Sequence, residues 1–192
     1  DEQQQPGSAK VRRTKLSLII SLIDETEIEV HTLKATFYMA NYEAVYGEEA
    51  RPVPELTPSP AQLCAIQYLI DNGCTPYLDF AIFGPFHGRI LKKLKLVGCQ
   101  FTADGKIEKT EIAGPPTIHQ WNVSYALSRV SFLMVDLWDL GLLETYSTKV
   151  VGYHVKYGKE CWLLLYQVDV RFRQEHLERI AGEIQLKADK SK

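Results

Sequence analysis

The chain has 192 residues and a formal net charge of −2, from 22 basic and 24 acidic side chains, and 45% of it is hydrophobic. That balance supports a sizeable core in one domain and excludes a protein whose whole surface tracks nucleic acid, although not one with a local basic patch. No apolar run approaches the roughly 20 residues a membrane span needs, so none is expected.

Residues 1–13, DEQQQPGSAKVRR, are polar, lack periodicity and contain Pro-Gly. Residues 1–14 are therefore expected to form a disordered arm. Residues 15–23 are rich in Ile and Leu with weak alternation, which fits a strand or a buried turn of helix equally well. The acidic DETEIE at 24–29 reads as a loop or a helix start. A helix follows over 31–46, with Leu33, Phe37, Tyr38, Ala44 and Val45 roughly on one side and Gly47 as its stop. Pro52, Pro54 and Pro58 make 48–59 an extended linker.

Ser59-Pro60 then opens a well-marked helix. Ser is the N-cap, Pro takes the first helical position, Leu63, Ile66, Leu69 and Ile70 form the apolar face, and Asn72-Gly73 stops it. The segment 75–89, TPYLDFAIFGPFHGR, is broken by Pro76 and Gly84-Pro85, so it is no long helix; its apolar content places it in the core. A short amphipathic helix is expected over 88–96. A hairpin is expected over 97–112, turning at Ala103-Asp104-Gly105. Thr117 caps a predicted helix over 119–136, a corner follows at 136–141, and another helix covers 142–157 up to Gly158. Finally, 160–186 carries Trp162, Tyr166, Val170, Leu177, Ile180 and Ile184 at helical spacing, with oppositely charged pairs between them. At 1.5 Å per residue that is about 35–40 Å of uninterrupted helix, long enough to organise a small domain.

The fold class expected is mainly α: about six helices and one small antiparallel hairpin in a single globular domain over 15–186, with a flexible tail at 187–192.

Chemistry-bearing groupings are few. Cys64, Cys74, Cys99 and Cys161 show neither C-x-x-C nor zinc-site spacing, and read as free thiols used as small apolar residues in a reducing, intracellular setting. Gly84–Gly88, GPFHG, lacks the Lys-Ser/Thr of a phosphate loop and reads as a turn. His87, Asp79 and Cys74 form no nucleophile signature. Asp169, Arg171, Arg173, Glu175 and His176 read as structural, with Asp169 and Arg173 expected to be partly buried and to hold a neighbouring turn. No catalytic, metal or cofactor residue is nominated. Arg89, Lys92, Lys93 and Lys95, with Lys106 and Lys109, form a candidate basic surface for nucleic acid. Trp138, Tyr153 and Tyr157 are the candidate interface residues for a protein partner or for self-association.

Three strings carry a resemblance: PYLDFAIFGPFHGRILKKLKLVG at 76–98, AGPPTIHQWNVSYALSRVSFLMVDLWDLGLLETY at 113–146 and YGKECWLLLYQVDVRFRQEHLERI at 157–180. Together they resemble a dinoflagellate protein family whose members often lie in retroelement-type open reading frames, upstream of Cys/His-rich knuckles or polymerase segments. The resemblance spans 15–180. It implies a Gag-like, capsid-type or nucleoprotein-associated helical domain, and it carries over no catalytic residue. No Cys-rich stretch of the knuckle type occurs in this sequence, so nucleic-acid binding does not carry over either. The expected function is that of a non-enzymatic assembly or interaction domain; the alternative is a nucleic-acid-binding module built on the basic helix and hairpin.

Overall fold

The strongest local signal sets a boundary as expected. Ser59 accepts the Gln62 N–H at 3.3 Å, and the Gln62 side chain accepts the Ser59 N–H at 2.9 Å. This reciprocal pair satisfies two of the donors that every helix start leaves open. Thr117 and Asp139 cap two further helices in the same chemical way, each side-chain oxygen accepting backbone N–H groups of the first turn.

The computed structural model describes residues 11–20, 25–74, 77–80, 82–85, 96–101, 105–112 and 117–176. In chain order these contain β1 (Arg12–Lys15), β2 (Glu27–Val30), α1 (Thr32–Tyr46), α2 (Pro60–Asp71), β3 (Leu96–Phe101), β4 (Ile107–Ile112), α3 (Ile118–Met134), α4 (Leu140–Tyr157) and α5 (Trp162–Arg171). The fold is mainly helical, with five α-helices among the described residues. The helix expected over 88–96 falls outside them, apart from Leu96, which begins β3.

Strands form two separate antiparallel pairs, β1 with β2 and β3 with β4. The second is the expected hairpin, with Leu96 opposite Ile112 and Phe101 opposite Ile107. The first was not expected. The acidic stretch is no helix start: Ile28 points into the core while Glu27 and Glu29 face out, and that alternation is what a strand needs. Its charges answer those of β1 and its flanks, with Arg13 to Glu29 at 3.0 Å and Lys15 to Glu25 at 2.5 Å. Pairing therefore begins at Arg12, inside the stretch read as an arm. Beyond β1 the chain turns tightly, which buries Leu16, Ile19 and Ile20.

The core is centred on α3. Trp121 and Tyr125 stack on one another, centroids 5.0 Å apart and planes within 5°, and Phe80, Tyr146 and Trp162 close around them. Serines let the neighbours approach. Ser124, Ser128 and Ser131 are buried, and each hydroxyl donates to a backbone carbonyl: Phe80, Tyr125 and Leu127 respectively. A second cluster joins α1, α2, α3 and the start of α4 through Tyr42, Leu63, Val130, Leu133, Met134 and Leu143.

Two helices depart from expectation. The final helix is α-helical only over Trp162–Arg171 and continues as a π-helical turn over Phe172–His176. Its expected continuation to 186 lies outside the described residues. In α1 the side shared by the residues grouped from the sequence is largely the outer one. Tyr42 is the buried residue, with Ala35, Tyr38, Met39 and Tyr46 packed beside it, whereas Leu33, Phe37, Ala44 and Val45 face outward. The helix is apolar on nearly all sides, so periodicity did not distinguish them.

Candidate functional site

Among the described residues the core encloses three charged side chains, Asp79, Asp169 and Arg173. Asp169 on α5 is 6% exposed, and its two carboxylate oxygens accept from three side chains of the protein itself. Trp121 Nε1 donates to Oδ2 at 3.2 Å, Arg173 Nε donates to the same oxygen at 3.1 Å, and the Tyr146 hydroxyl donates to Oδ1. Arg173, in the π-helical turn, sends Nη1 to the Leu78 carbonyl at 2.5 Å and lays its guanidinium over the rings of Phe80 and Tyr77.

These contacts, with three more, pin the segment that the sequence placed in the core. The Asp79 N–H donates to the Ile20 carbonyl, the Tyr166 hydroxyl reaches Asp79 Oδ1 at 3.4 Å, and Gln62 Nε2 donates to the Gly84 carbonyl at 3.0 Å. The irregular backbone of 77–80 and 82–85 thus finds partners on α2, α3, the π-helical turn after α5 and the residues after β1.

Electrostatics follow the burial. Desolvation works against the guanidinium of Arg173, but Asp169 beside it prevails and holds the group firmly charged. Burial raises the hydroxyls of Tyr77, Tyr146 and Tyr166 well above the ordinary tyrosine value and pushes Tyr125 up to about 12. A carboxylate whose oxygens are taken up by internal donors and covered by protein has no geometry for proton exchange with a substrate. The arrangement clamps one loop to three helices.

Two grouped residues separate in space. Cys74 is exposed beyond the end of α2, while Asp79 is buried under Tyr166; His87 lies outside the described residues. Arg89, Lys92, Lys93 and Lys95 also lie outside them. A groove of about 510 Å³ separates α3 from α4; among the described residues its walls include Asn122, Tyr125, Arg129, Ser147 and Gly152, without a carboxylate or a histidine.

What remains is the outer surface. Tyr153 and Tyr157 are half exposed on α4, one turn apart with ring centroids 6.3 Å apart, and Lys156 lies over the Tyr157 ring. Trp138 sits half buried against Phe132 at the second cluster. The sequence reading missed a clearer feature. On α5, Trp162, Tyr166 and Asp169 turn inward, while Leu164 and Val168, with Phe172 just past the helix end, lie on the outside, 64, 60 and 47% exposed. Their four-residue spacing was visible, but the same segment also supplies a core stripe, and both rows are apolar. No protein-family model, curated protein or solved structure matches the chain.

Proposed function

We propose that this chain is a non-enzymatic assembly domain, a capsid-like or structural subunit of a larger complex. The carrying observation is the pair Leu164 and Val168, 64 and 60% exposed on α5 away from its buried face. Two large apolar side chains one turn apart on the outside of a helix suit a helix-in-groove or helix-to-helix contact with protein. Covering them contributes roughly 25 cal/mol for each Å² removed from water. The resemblance to retroelement-type frames points to the same role.

Light scattering across a range of concentrations tests the reading. The weight-average mass rises with concentration, and the double substitution Leu164→Glu, Val168→Glu suppresses most of that rise while leaving the helical circular dichroism intact. A wild-type chain that stays at monomer mass throughout overturns self-assembly as its role.

A further inference from the structure

The outer face of α1 is a second, independent apolar surface. Leu33 and Phe37 are 82 and 62% exposed, Val45 at the edge is 73% exposed, and Ala40 and Ala44 are exposed between them. Leu33, Phe37, Ala40 and Ala44 follow one another at spacings of four, three and four, the seam of a coiled coil. The opposite side, built on Tyr42, already packs against α2 and α3, so the helix is apolar on both sides and covered on one.

We infer that this face pairs with the same face of a second copy, antiparallel about a two-fold axis passing between Tyr38 and Met39. The distribution of side-chain volume selects this arrangement. The two large residues stand in the N-terminal half of the seam and the two small ones in the C-terminal half. An antiparallel copy sets Leu33 over the partner copy's Ala44 and Phe37 over its Ala40, each knob over a space. A parallel copy stacks Phe37 on Phe37 and leaves a void between the alanines. Antiparallel pairing also opposes the two helix dipoles favourably. The only formal charge on the exposed side is Lys34 at its edge, so little charge is desolvated; Glu43 is turned toward Arg51, 2.6 Å away. Covering the face on both copies removes on the order of 1,000 Å² of surface, the threshold for a specific contact.

The inference rests on the assembly reading and adds its geometry. An isologous contact closes at two copies, and the α5 pair then supplies the separate contact by which dimers extend.

Cross-linking tests it. Leu33→Cys and Ala44→Cys chains, each also carrying Cys74→Ser, are mixed, oxidised and peptide-mapped. The expected product is a disulfide between position 33 of one chain and position 44 of the other. Leu33→Cys alone gives no dimer, because the axis places like residues about 16 Å apart along the helix. A disulfide between two copies of position 33, or none in the mixture, overturns the arrangement.

A second measurement separates this inference from the assembly reading. The chain with Leu164→Glu and Val168→Glu remains a dimer in sedimentation equilibrium, and adding Ala40→Glu makes it a monomer with unchanged helical circular dichroism and a melting temperature that no longer depends on concentration. Persistence of the dimer after Ala40→Glu refutes the α1 pairing alone. Growth of the wild type beyond dimer without the 33–44 link leaves assembly standing and this face unused.

Discussion

Asp169 and Arg173 lie one helical turn apart and meet inside the protein, where Nε and Nη2 of the guanidinium both stand 3.1 Å from Asp169 Oδ2. Only Nε is aligned for a hydrogen bond. The pair is buried at both ends, so its contribution depends on all its donors and acceptors being present together.

Removing one partner is expected to be far worse than removing both. Arg173→Met leaves a buried carboxylate with two remaining donors and frees the Leu78 carbonyl, at a cost of about 3–5 kcal/mol. Asp169→Asn with Arg173→Met recovers a large part of that loss. Urea unfolding of the two single variants and the double variant measures the coupling; equal costs for Arg173→Met and the double variant contradict the account.

Alkaline pH attacks the same centre. Burial holds Tyr146 and Tyr166 neutral above the ordinary value of 10.0, and the nearby carboxylates, Asp169 for Tyr146 and Asp79 for Tyr166, add to the effect. A hydroxyl whose value is raised in the folded state contributes stability that is complete below the unfolded value and lost as pH rises toward the folded one. Stability is thus expected to decline above about pH 10, on the order of 1.4 kcal/mol per pH unit for each such tyrosine. The tyrosinate absorbance of Tyr146 and Tyr166, isolated by difference against the Tyr146→Phe and Tyr166→Phe chains, should rise together with the loss of circular dichroism in one cooperative step; ionisation of either near pH 10 with the fold intact contradicts this.

Ser128 separates a polarity effect from a size effect. Its hydroxyl bonds the Tyr125 carbonyl within the same helix and the side chain is fully buried. Ser128→Ala removes only a bond that the helix does not need, and the melting temperature should move by no more than a few degrees. Ser128→Leu forces extra volume into a close-packed contact and costs about 1–3 kcal/mol. Thermal unfolding of both variants checks the order.

Ser59 makes a cap that is independent of tertiary context. Ser59→Ala deletes the acceptor for the Gln62 N–H and half of the reciprocal pair, costing about 1 kcal/mol. Ser59→Gly should cost only a few tenths. Chemical denaturation of the two variants gives the comparison.

Caps and breakers are written locally, and for that reason they were legible. Ser59-Pro60, Thr117, Gly47 and Gly158 mark helix ends through bonds or positive φ angles set within a few residues. The hairpin was legible from its alternation and turn. Even the burial of Asp169 with Arg173 and the inward path of 77–80 and 82–85 could be anticipated, since a helical ion pair and a Gly/Pro-broken apolar segment each need a partner.

Which face of an apolar helix points inward was not written locally. In α1, Leu33 and Phe37 are as hydrophobic as Tyr42 and Met39, and only the positions of α2 and α3 decide which side is covered. The same holds for Leu164 and Val168 against Trp162 and Tyr166 on α5. The strand at 27–30 likewise exists because β1 lies beside it to take its backbone bonds and answer its charges. The sequence by itself determined where helices begin and end and how much apolar surface there is, because those depend on nearest neighbours along the chain. Only the tertiary structure decided which part of that surface is hidden, because burial depends on neighbours in space.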